Sequence, residues 1–193
     1  MNKPCLSRRQ FISRLGLLGG LAAACPPAAL AALRANAEPM PAEEPWRTLA
    51  AVQAQLFPPG PGIPGAREIG ALRYLRQALE NPAAAGADLA FVRDGAGWLN
   101  DLARKTRQRD FAQLDAAGRE TLLRRIERSR AGSRWLSLLL DYLLEALLAD
   151  PVYGGNPDGS GWRWLEHQPG YPTPMPDKRW FQLAARRFSR HKG

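Results

Sequence analysis

Few side chains in this sequence have the types and spacing that chemistry needs. Asp141 and Glu145 stand four apart, one helical turn, and could share acid/base work, while Glu166 and His167 are adjacent. Asp141 and Glu145 read more simply as the wet edge of an apolar helix, and adjacent side chains such as Glu166 and His167 need not converge. His167 and His191 are the only imidazoles, far apart and without neighbours at metal-ligand spacing, so each reads as a surface or loop residue. No phosphate loop, dinucleotide fingerprint or nucleophile elbow occurs. The sequence therefore offers no catalytic, cofactor-binding or metal-binding set of its own.

A different pattern carries more information. Ser7-Arg8-Arg9-Gln10-Phe11-Ile12 precedes a moderately apolar stretch over 15–33 and then Ala35-Asn36-Ala37. Arg8 and Arg9, the apolar Phe11 two places on and the small residues Ala35 and Ala37 occur in the order of a twin-arginine export signal, with cleavage after Ala37. Gly16, Gly19, Gly20, Pro26 and Pro27 interrupt the apolar stretch, and a permanent span needs about 20 predominantly apolar residues. Lipidation at Cys25, after Leu21-Ala22-Ala23-Ala24, is the alternative maturation. The twin-arginine route carries folded proteins, often loaded with a cofactor. A chain without cofactor ligands is then expected to travel beside a partner that holds one.

Removing 1–37 takes away five of the 27 basic residues and none of the 18 acidic ones, so the formal +9 falls to +4. That excess is too small and scattered to point to nucleic acid. Both cysteines, Cys5 and Cys25, leave with the signal, which excludes disulfides, iron–sulfur ligation and c-type haem attachment in the mature chain.

The remaining 38–193 reads as one all-α, irregular helical domain. Apolar spacing predicts helices over 46–57, stopped by Pro58-Pro59-Gly60-Pro61-Gly62, and over 66–80, stopped at Asn81-Pro82. Asp88 is expected to cap a third helix bearing Phe91, Trp98, Leu99 and Leu102, with Gly95 and Gly97 weakening its middle. Asp115 is expected to cap a fourth over 116–128. After Gly132-Ser133, leucines wrap much of the circumference of 135–149, which predicts a central, largely buried core helix with Asp141 and Glu145 at its wet edge. From 151 to 177 glycines and prolines alternate with Tyr153, Trp162, Trp164 and Tyr171. That segment is expected to be an ordered loop pinned to a surface. A last amphipathic stretch, 178–189, places Trp180, Phe181, Leu183, Ala184 and Phe188 beside Arg186 and Arg187.

Phe57-Pro58 before Ile63-Pro64-Gly65-Ala66, then Tyr74, Leu102, the Phe111 to Leu114 step and, above all, Asp150-Pro151-Val152-Tyr153-Gly154-Gly155-Asn156 with Gly161-Trp162 and Pro169-Gly170 downstream resemble the small subunit (subunit 3, or gamma) of gluconate 2-dehydrogenase. The resemblance implies a non-catalytic subunit without a redox centre, held in the periplasm at the inner membrane. Its implied partners are a large flavin-dependent subunit of the glucose–methanol–choline type, a multihaem cytochrome c subunit and, during export, the twin-arginine translocase. FAD and haem c are then expected on the partners. The run 157–168 is richer in aromatics than the family pattern, which leaves the sugar or sugar acid open.

Tyr153, Gly154, Gly155, Asn156, Trp162, Trp164 and Tyr171 are the expected partner-binding residues, since tryptophan and tyrosine are enriched at interface hot spots. The same aromatics could instead pack the loop onto its own helices, or one ring could do both. Two other functional classes remain: a free-standing periplasmic binding module that stacks a sugar on Trp162, Trp164 and Tyr171, and an enzyme using the carboxylates named first.

Overall fold

The computed structural model describes residues 41–81, 86–170, 175 and 178–179. The expected export signal with Arg8, Arg9, Phe11, Cys25, Ala35 and Ala37, the loop residue Tyr171 and all but the start of the stretch 178–189 lie outside them. The described residues form six α-helices and no strand; a lone antiparallel bridge joins Gly60 to Ile63. The all-α expectation holds.

Helix α1, Trp46–Leu56, ends at the proline cluster as its sequence requires. Helix α2 covers only Ala71–Leu79, five residues shorter at its start than the spacing suggests, because Gly70 adopts φ 66° and residues 66–70 form a turn. Helix α3 runs Gly86–Arg107 without a break. Asp88 lies inside its first turn and does not cap it; the Asp88 carboxylate accepts from Tyr142 Oη at 3.3 Å. Gly95 is required there, since a Cβ would stand 2.1 Å from Trp135 Nε1, whereas Gly97 faces open space.

A 3₁₀ turn over Phe111–Gln113 follows, entered by a capping box between Asp110 and Gln113. Asp115 caps α4, Ala116–Glu127, accepting from the Gly118 N–H at 2.8 Å. Helix α5, Arg130–Leu148, starts five residues before the expected 135, capped by Ser129, whose Oγ accepts from the Gly132 N–H at 3.0 Å. Gly132 is not a breaker. A Cβ there would lie 2.1 Å from the Ile126 carbonyl oxygen, so the glycine lets α4 and α5 meet in a tight turn.

Helix α5 touches every other helix. It runs antiparallel to α3: Trp135 Nε1 donates to the Val92 carbonyl at 3.1 Å, and Tyr142 meets Asp88 one pair of turns further on. Phe111, Trp135, Leu139 and Leu99 lie at the centre of the larger core, which joins α1 to α5. A second cluster of Ala66, Ile69, Ala71, Leu143, Ala146 and Leu147 seats the far end of α5, and Phe57, Tyr74 and Trp164 pack against it. The wet edge expected at Asp141 and Glu145 is present, and it is wider than those two carboxylates. Leu144 is 38% and Leu148 53% exposed, on the stripe that also carries exposed Asp141 and Glu145. Helix α5 is central, but one of its faces is wet.

Candidate functional site

The segment after α5 is ordered by its own polar groups. Asp150 accepts from the Val152 N–H at 3.0 Å and starts a 3₁₀ turn over Pro151–Tyr153; a second over Pro157–Gly159 leads into the short α6, Ser160–Trp164. Between them the chain passes through left-handed backbone at Gly154 (φ 93°) and Asn156 (φ 48°). Glycine and asparagine tolerate that region best.

Asn156 is fully buried and ties three elements together. Its N–H donates to the Ile69 carbonyl at 2.8 Å, its Nδ2 to the Ala149 carbonyl at 3.1 Å, and its Oδ1 accepts from the Gly161 N–H at 2.7 Å. The bond to Ile69 also fixes the turn that shortens α2. Gly155 and Gly161 lie flat on α5: a Cβ would stand 2.6 Å from the Ala146 carbonyl oxygen in one case and 2.3 Å from that of Leu147 in the other. The Gly154 carbonyl accepts from Arg73 Nε at 2.6 Å. Gly154, Gly155, Asn156 and Gly161 face their own domain and position the aromatics around them.

The aromatics stand at its surface, each half-buried. Trp162 Nε1 donates to the Leu148 carbonyl at 2.8 Å, closing the open end of α5, and its ring meets His167 edge-on at 6.3 Å. Trp164 packs edge-to-face on Phe57 at 5.9 Å, anchoring α6 to the second core cluster. Tyr153 opens onto a groove of about 490 Å³ between α2 and α5, lined also by Tyr74, Leu144, Glu145, Leu148 and Asp150. Tyr74 Oη donates to Glu145 at 3.1 Å. Burial, then the Glu145 charge, pushes the Tyr74 phenol well above its ordinary range. Tyr153, Trp162 and Trp164 thus share one end of the molecule, where Leu144 and Leu148 extend them. Asp141 and Glu145, the wet edge of α5, had marked that exposed stripe in the sequence. Trp98, 54% exposed on α3, is a further surface aromatic, set edge-on to Phe91.

Glu145 is engaged by Tyr74, and no hydrogen bond joins Glu166 to His167. Among the described residues no group of three or more His, Cys, Asp or Glu side chains could hold a metal ion, and no helix is long and apolar enough to cross a membrane. Nor does the glycine-rich turn leave a cradle for a phosphate or a flavin, because the chain's own α5 backbone fills the space beside Gly155 and Gly161. What the site offers is an apolar and aromatic surface held by a buried polar pivot.

A family model described as gluconate 2-dehydrogenase subunit 3 matches residues 43–170, from just before α1 through the aromatic turn. No curated protein and no solved structure matches the chain.

Proposed function

The chain belongs to the gluconate 2-dehydrogenase subunit 3 family, and from that premise we propose that it is the non-catalytic small subunit of a periplasmic, inner-membrane-associated, flavin-dependent sugar or sugar-acid dehydrogenase. It supports export, maturation and stability of a large flavoprotein of the glucose–methanol–choline type. FAD sits on that large subunit and haem c on a multihaem cytochrome subunit. The observation that carries the reading is the family match itself, which spans the whole described helical body and ends on the Tyr153 to Pro169-Gly170 stretch.

Two further observations support it. Arg8-Arg9 and Phe11, before Ala35 and Ala37, have the order of a twin-arginine signal. Tyr153, Trp162 and Trp164 offer aromatic contact area of the kind that interfaces favour, around a pivot that Asn156 ties to Ala149 and Gly161. Co-expression with the large flavoprotein, followed by size-exclusion chromatography, tests the proposal. A stable complex is expected, weakened by Trp162→Ala and Tyr153→Ala. A chain that elutes alone and responds to sugars by tryptophan fluorescence would favour a binding module in its place.

A further inference from the structure

Gly97 sits in the middle of α3, on its outer face, with nothing within 4 Å of the place a Cβ would take. A glycine inside a helix costs stability relative to alanine, and no contact among the described residues requires one here. Its explanation lies outside the chain. Trp98 stands beside it, largely in solvent, its ring set edge-on to Phe91 at 6.2 Å. The two residues border a cleft of about 490 Å³ at the start of α1, lined also by Glu44, Asp94 and Arg104. This cleft shares no lining residue with the groove at the aromatic end.

The charges around the cleft are mixed. Arg93 and Arg104 stand among Glu44, Asp94 and Asp101, which calls for neither a purely cationic nor a purely anionic partner. Their order along α3 singles out an occupant: Arg93 lies four residues before Gly97 and Asp101 four after, and all three are exposed. Where two identical helices cross antiparallel about a two-fold axis, residues equally far on either side of the crossing meet one another. A crossing at Gly97 therefore sets Arg93 of each copy against Asp101 of the other.

We propose that this face of α3 binds a second copy of the chain about a two-fold axis at Gly97. The missing Cβ lets the two backbones approach, Trp98 of each copy enters the cleft of the other, and two Arg93–Asp101 pairs fix the antiparallel register. Asp101 is only loosely held within its own chain. Arg104 is turned to Asp110 at 2.7 Å and stands 3.8 Å from Asp101. The inference goes beyond the subunit reading and does not rest on it.

Sedimentation equilibrium over a concentration series tests it in the full chain carrying Cys5→Ser and Cys25→Ser. A dimer is expected. Arg93→Glu alone and Asp101→Arg alone should each weaken it by about tenfold, because both symmetry-related pairs become like-charged. Mixing these two variants in equal amounts should restore a dimer, since both contacts of the mixed pair are then attractive, and the double variant Arg93→Glu/Asp101→Arg should dimerise as the parent does. An unchanged circular dichroism spectrum checks the fold of each. Gly97→Cys should give a disulfide-linked dimer under diamide, whereas Thr121→Cys on α4 should not. A chain that is monomeric at every concentration would overturn the proposal, as would a dimer that ignores the charge reversals or fails to recover on mixing. Loss of flavoprotein binding in Trp98→Ala, with no self-association of the parent, would give the face to that partner instead.

Discussion

Asn156 Oδ1 accepts the Gly161 N–H at 2.7 Å at a point no solvent reaches, so the side chain that closes the aromatic turn is also the one that anchors it to α5. Replacing Asn156 with alanine leaves the Ala149 carbonyl and the Gly161 N–H without those partners. A loss of about 2–4 kcal/mol is expected in urea denaturation, from two lost hydrogen bonds with buried groups left unsatisfied. Asn156→Asp should also destabilise, because Oδ2 cannot donate to Ala149 and a buried charge is added. A stability within experimental error of the parent for both variants would remove the pivot from the account.

The two glycines in the middle of α3 should respond in opposite directions. Gly95→Ala drives a methyl into the Trp135 indole and should cost about 1–3 kcal/mol, as overpacked cores do. Gly97→Ala meets open space and should stabilise by about 0.5–1 kcal/mol through helix propensity. Thermal melts of the two single variants check the sign directly.

Along α5, burial separates leucines that look equivalent in sequence. Leu139 is fully buried, so Leu139→Ala should cost about 2–5 kcal/mol. Leu144, 38% exposed, should lose clearly less in Leu144→Ala under the same denaturation conditions. Equal losses would mean that the stripe is covered.

Alkaline titration probes the α3–α5 contact. Burial, followed by the charge of Asp88 and the hydrogen bond to it, pushes the Tyr142 phenol up to about 12 from 10.0. Above pH 10 the unfolded chain releases this proton while the folded one keeps it, so the folded state binds more protons and stability falls as pH rises towards 12. Tyr142→Phe should flatten the decline in denaturation midpoint over that window; an identical slope would mean that folding does not raise the Tyr142 phenol.

Local rules made much of the fold legible. Proline ended α1, Asp115 capped α4, and leucine periodicity identified α5 as central. Features set by distant partners were not. The start of α2 depends on Asn156, 87 positions beyond Ile69 in the chain, reaching back to its carbonyl. The start of α5 was hidden because Gly132 looks like a breaker until the Ile126 carbonyl beside it is known. In the site, composition showed aromatics on a glycine-rich turn. Whether Gly155 or Trp162 faces inward follows from backbone contacts with Ala146 and Leu148, which no local pattern encodes. The exposed stripe was written in the spacing of Asp141 and Glu145; that it also takes in Leu144 and Leu148 was hidden by the apolar side chains around most of the helix.

The export of the flavoprotein tests the subunit reading most directly. In cells expressing the large subunit with this chain, flavin-loaded large subunit should be recovered from the periplasm. Arg8→Lys/Arg9→Lys should leave it in the cytoplasm. Recovery of the loaded flavoprotein from the periplasm in equal amounts with the double variant, or without this chain, would contradict the account.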